Sequence, residues 1–229
     1  MELVKQYNIG KNTNFDLEQL NNDLEPGQYT IKTQGISKNG KKSPESEGVI
    51  YTVPGVRIGD YVYSTSTVGV DVILKAGDNL VDYDDESSSS DDNLYVVRNG
   101  KYYFSYKAIN YLNENAETLF PGWHIPTKEE LVDMFATKDI TISSSYEEPT
   151  YLSDVEDDLK EILNQVGFDT TTWNENCVYN YTGANLVEDF LLCSNEFDSV
   201  GFSSYKLYWT NISDSTDYWP QLILCKNHN

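Results

Sequence analysis

Two short segments, Thr127-Lys128-Glu129-Glu130 and Ser153-Asp154-Val155-Glu156, constrain the fold more than any other part of the sequence. Each reads as a capping box, in which a hydroxyl accepts the amide three residues on and the glutamate reaches back to the first residue's amide. A helix is therefore expected at each. Leu131, Met134 and Phe135 form the buried side of the first, and Val155, Leu159, Ile162, Leu163 and Val166 trace an apolar stripe along the second until Gly167 stops it. Phe104, Ala108, Leu112 and Ala116, four residues apart, signal another helix ending near the Phe120-Pro121-Gly122 turn. Around these lie strand signals: Tyr61–Tyr63, Val68–Leu74, Leu94–Tyr106, and a closing hairpin of Leu207–Thr210 with Trp219–Cys225 across an Asn211–Asp217 loop. The expected class is α+β, with a mixed or antiparallel sheet and two to three helices.

The first 54 residues follow a different pattern. A Glu25-Pro26-Gly27 turn precedes an alternating run, Tyr29–Thr33; the Asn39-Gly40 pair inside Lys38–Lys42 signals a hairpin turn; and Gly48–Val53 reads as a further strand. Val53-Pro54-Gly55 reads as a linker, so residues 1–54 are expected to be a small all-β segment and residues 55–229 the main domain. The stretch LEPGQYTIKTQGISKNGKKSPESEGVIYTV resembles the last strands of a fibronectin type III or immunoglobulin-like module. The roughly 25 residues upstream are too few to supply the earlier strands of such a module. Bare strand edges invite pairing. The resemblance therefore implies docking onto another protein, or homo-oligomerisation, through residues 1–54.

The formal net charge of −21 repels phosphate backbones, which excludes nucleic acid as a partner. No stretch approaches the ~20 apolar residues of a membrane span, and Met1–Lys11 carries charge where a secretion signal needs an apolar run. Asp82–Asp92, DYDDESSSSDD, is expected to be a mobile surface loop; it is rich in oxygen ligands but lacks the glycine-centred spacing of an EF-hand, so calcium is considered there and no cofactor is assigned. Cys177, Cys193 and Cys225 show no Cys-x-x-Cys spacing and read as reduced core thiols, and the two histidines, His124 and His228, carry no metal signal, so no metal ligand is assigned.

AETLFPGWHIPTKEELVDMF and, further on, LYWTNISDSTDYWPQLIL resemble the two hallmark blocks of the Fibrobacter succinogenes major paralogous domain. Those hallmarks are G-W-R-[IL]-P-T-x-x-E-[WL] and Y-W-[ST]-S. Gly122, Trp123, Ile125, Pro126, Thr127, Glu130 and Leu131 match the first, and Tyr208, Trp209 and Thr210 the second. His124 stands where the family has Arg, and Asn211 where it has Ser. The resemblance implies a C-type-lectin-like fold over residues 55–229. Trp123, Pro126, Thr127, Glu130 and Trp209 would then serve as scaffold, with Trp123 packed beneath the sheet.

In that fold, ligands meet the long irregular segments above the sheet. This points to Trp173, Tyr179, Tyr181, Tyr205, Asp214, Tyr218 and Trp219 as ligand-binding residues, a mixture of aromatic and hydrogen-bonding groups suited to sugars or protein loops. Glu-Pro-Asn and Trp-Asn-Asp, the calcium-dependent lectin motifs, are absent. A cysteine nucleophile would need a histidine beside the thiol; one histidine lies in the GWHIPT block and the other near the C-terminus. The metal-competent cysteine pair of the related formylglycine-generating enzyme is not recognisable. No catalytic residue is assigned. The expected function is non-enzymatic display or recognition of a host-surface glycan or protein, in a phage head or tail fibre at the virion surface, alongside other virion proteins. The alternative is a secreted or lipid-anchored adhesin on the bacterial surface, and the resemblance points to Bacteroidetes or their phages.

Overall fold

In a computed structural model, the residues described are 6–8, 24–85, 88–89, 91–144, 150–168, 170, 198–203, 206–211 and 219–227. The chain divides into two units, Met1–Pro54 and Gly55–His228.

In the first unit, β1 (Gly27–Ile31) pairs antiparallel with β2 (Val49–Val53), from Gly27 opposite Val53 to Ile31 opposite Val49. The pairing continues outward through Ser43 N–H to Gly35 O at 2.8 Å and Ser46 N–H to Thr33 O at 2.9 Å. Gly40, at φ +80°, lies in the turn closed by its own N–H to Ser37 O. No second sheet faces this arm among the described residues of the unit, and Val49 and Ile50 are 60% and 71% exposed. A lone two-stranded ribbon is marginal in water.

The second unit is a mixed α+β body. Its elements in order are β3 (Val56–Ile58), β4 (Tyr61–Tyr63), α1 (Val70–Ala76), β5 (Val81–Asp82), β6 (Leu94–Arg98), β7 (Lys101–Phe104), α2 (Tyr106–Glu114), α3 (Ala116–Leu119), α4 (Lys128–Ala136), β8 (Thr150–Tyr151), α5 (Leu152–Gln165), β9 (Asp198–Ser203), β10 (Lys206–Asn211) and β11 (Cys225–Asn227). Among the described residues they make three small sheets, ordered β11-β4-β3, β5-β6-β7 and β8-β10-β9, with only β5–β6 parallel.

What joins the sheets is the apolar run before β11. Pro220 O accepts from Phe104 N–H, Leu222 O from Val68 N–H and Leu224 O from Ser64 N–H, at 2.7–3.0 Å. Its side chains alternate between two cores. Leu222 and Leu224 pack with Val68, Phe104, Ala108, Ile109 and Leu112, while Ile223 and Cys225 pack with Leu131, Met134, Phe135, Leu159 and Ile162. A segment buried on both faces is apolar at nearly every position for that reason, the exception being the buried Gln221.

Several expectations need correcting. Val68–Leu74 is not a strand: α1 starts at Val70, and Val72 and Ala76 are buried on one side of it, in line with Val68 just ahead of the helix, while Val70 and Leu74 are exposed. The valines alternate at period two by coincidence with a period-four burial. Leu207–Thr210 and Trp219–Cys225 do not pair; β10 lies between β8 and β9, and β11 pairs with β4. Leu94–Phe104 is a hairpin, turned at Asn99 and Gly100 with φ +52° and +77°, both left-handed as a tight type I′ turn needs, so Phe104 ends β7 rather than opening a helix, α2 starts at Tyr106, and Ala116 belongs to α3. The Ser153 capping box does not form. α5 already starts at Leu152, Ser153 Oγ bonds the Asp154 carboxylate at 3.1 Å, and Glu156 pairs with Lys160 one turn on. Tertiary packing of Leu159, Ile162, Leu163 and Val166 sets the helix without that cap. Within Asp82–Asp92, Asp82 belongs to β5, Asp84 makes a two-point ion pair with Arg98 at 2.7 and 3.1 Å, and Asp91 meets Lys107 at 3.3 Å.

Candidate functional site

The most chemically varied cluster among the described residues forms where α4 starts. Thr127 caps the helix: its hydroxyl accepts Glu130 N–H at 3.1 Å, and Thr127 N–H donates to Glu130 Oε2 at 2.7 Å. Glu130 therefore points back over the helix N-terminus, where a carboxylate also complements the helix dipole. It is only 7% exposed. His124 Nε2 lies 3.0 Å from each carboxylate oxygen.

His124 is fixed by backbone pairing. Its N–H donates to Cys225 O at 2.8 Å and its carbonyl accepts Cys225 N–H at 2.7 Å, a double exchange that puts both side chains on the same face. On the other side of Cys225, β4 places Tyr63 directly opposite. Tyr63 Oη donates to Glu130 O at 2.6 Å. Imidazole, thiol and phenol thus stand in a row across three backbone segments, facing the first turn of α4.

Burial pushes the Cys225 thiol well above its ordinary range, the nearby Glu130 carboxylate adding to the effect. Burial likewise raises the Tyr63 phenol, helped by Cys225 and Glu130. Both stay protonated at neutral pH. A histidine does sit beside a cysteine, contrary to the separation the sequence suggests. The pair is nonetheless ill suited to nucleophilic attack, which needs an accessible thiolate; here the thiol is sealed in the core and the imidazole faces a carboxylate. Beside the cluster, Lys226 is held below its ordinary range by burial, and its ammonium lies 4.9 Å from the Trp123 ring centroid.

No family model, curated protein or solved structure matches the chain.

The Gly122–Leu131 and Tyr208–Thr210 segments lie together in the structure. Leu131 and Trp209 share one core, and Lys128 Nζ lies 5.1 Å from the Trp209 ring centroid. Pro126 is buried just ahead of the Thr127 cap. Trp123 is half-buried at the edge of the second core, with Lys226 of β11 over its ring. Of the ligand-binding candidates, Trp173, Tyr179, Tyr181, Tyr205, Asp214 and Tyr218 lie outside the described residues, as do Cys177 and Cys193. Trp219 is half-buried against Val96 and Tyr103 and meets Tyr83 edge-on at 5.3 Å. Sequence reading missed the association of Tyr63, His124 and Cys225. The one signal was His124 itself, a titratable ring at a position where the resembled family carries Arg.

Proposed function

We propose that this protein is a non-catalytic display or recognition protein with a C-type-lectin-like body, a head- or tail-fibre component of a phage virion that binds a host-surface glycan or protein. The reading rests on the meeting of the Gly122–Leu131 and Tyr208–Thr210 blocks, with Trp209 buried against the α4 side chains and stacked by Lys128. It is supported by the use of Glu130, Thr127 and Tyr63 as internal ties, and by a Cys225 side chain buried out of solvent. The β1–β2 arm supports docking through residues 1–54, since its exposed Val49 and Ile50 and its marginal size favour a partner surface, whether another virion protein or a second copy. Among the described residues no helix is long and apolar enough to cross a membrane.

The test is immunogold labelling of phage particles from a culture carrying the gene, followed by binding of the labelled chain to intact host cells. Gold on virions, with saturable cell binding reduced by the paired change Trp173→Ala and Tyr205→Ala, is the expected result. Gold confined to the bacterial envelope would overturn the virion assignment in favour of an adhesin. Turnover of a substrate by the purified chain would overturn the non-catalytic one.

A further inference from the structure

We propose that His124, Glu130 and Cys225 form a binding site for a divalent cation of the zinc class, clipping β11 to the start of α4. An imidazole nitrogen, a carboxylate oxygen and a thiol sulfur, all within 4.8 Å of one another, converge from the stretch that enters α4 and from β11. Around a tetrahedral zinc, with bonds of about 2.0 Å to nitrogen or oxygen and 2.3 Å to sulfur, neighbouring donors sit about 3.3–3.5 Å apart. His124 Nε2 and the Glu130 oxygens, at 3.0 Å, need to open by only a few tenths of an ångström. The thiol must close by up to about 1.3 Å and on binding gives up its proton to solvent, as metal-ligating cysteines do.

The surroundings suit such a site. Thr127 N–H already holds Glu130 Oε2, leaving Oε1 to face the ion, the kind of outer hydrogen bond that orients a ligating carboxylate. The double backbone exchange between His124 and Cys225 fixes the separation of the other two donors. A mixed sulfur, nitrogen and oxygen set favours zinc-like ions over calcium or magnesium, which take oxygen alone. Glu130 and Cys225 are buried, while the His124 side chain is 34% exposed, so a fourth position opens toward water on its side. The strongly negative chain draws cations toward it. This site is structural and independent of the display reading: either stands if the other falls.

The experiment is a titration of the chelator-stripped full chain with Co²⁺, then Zn²⁺, with far-UV circular dichroism reporting the fold. One equivalent of Co²⁺ should give a thiolate-to-cobalt charge-transfer band that Zn²⁺ bleaches. Cys225→Ser should abolish the band, and His124→Ala should weaken Co²⁺ affinity by about 10-fold or more. If the serine variant fails to fold, the His124→Ala result decides alone, because that side chain reaches solvent. A folded wild-type chain without the band, a band surviving in folded Cys225→Ser, or an affinity unchanged in His124→Ala would each overturn the proposal.

Discussion

Replacing Gly167 with alanine tests the packing of α5 against the chain that follows β4. Gly167 sits at φ +87°, and a Cβ built on it would lie 2.4 Å from Ser66 Cα, 2.7 Å from Thr65 O and 2.8 Å from Ser66 N. All three are backbone atoms, so no side-chain rotation relieves the clash. The left-handed conformation alone costs an alanine about 1–2 kcal/mol. Forcing packed backbone apart adds about 1–3 kcal/mol, for a total of about 2–5 kcal/mol out of the ~5–15 kcal/mol of a typical domain. Gly122→Ala supplies the control: its φ is +75°, with nothing within 4 Å of the added carbon, so only the conformational cost applies. Urea unfolding followed by tryptophan fluorescence should place Gly167→Ala below Gly122→Ala by about 1–3 kcal/mol at similar m values. Equal losses would refute the claim that Gly167 is required by close approach rather than by its dihedral angle alone.

Other outcomes follow from single contacts. Thr127→Ala should cost about 1 kcal/mol in the same assay by removing a working cap, whereas Ser153→Ala should stay within about 0.5 kcal/mol, since Ser153 lies inside its helix on an exposed face; similar losses would mean that the second capping box forms after all. In the native protein at neutral pH, iodoacetamide should leave Cys225 unmodified until denaturant is added, as read by peptide mass spectrometry, because the buried thiol is held protonated; rapid native labelling would contradict this. Hydrogen bonding to Arg98 lowers the Asp84 carboxyl from its ordinary 3.8, so the tie is present above that value and lost as acid protonates the group through its lowered range. An NMR titration of Arg98→Ala should show the Asp84 midpoint move upward; no movement would remove the ion pair from the account.

Helical periodicity was readable where an apolar stripe ran unbroken. Leu131, Met134 and Phe135, and then Leu159, Ile162, Leu163 and Val166, lie buried where their spacing places them. The pattern failed at Val68–Leu74, because alternating valines satisfy period two and period four at once and only the partner surfaces of Val72 and Ala76 choose between them. Capping chemistry was legible at Thr127 but not at Ser153, where long-range packing starts the helix earlier. The Trp219–Cys225 run announced burial without announcing its partners, since a largely apolar segment carries no mark of which strands it joins. For the same reason the meeting of His124 with Cys225, about a hundred residues apart, depended on a register that no local signal encodes.

The run from Pro220 to Cys225 also dictates an order of events during synthesis. It is the partition on which both cores are laid down, yet the ribosome makes it after every helix of the body. Until it emerges, α2 on one side and α4 with α5 on the other have formed surfaces and no shared wall. A chain cut before Leu222 would therefore leave two half-finished interiors rather than a smaller folded protein.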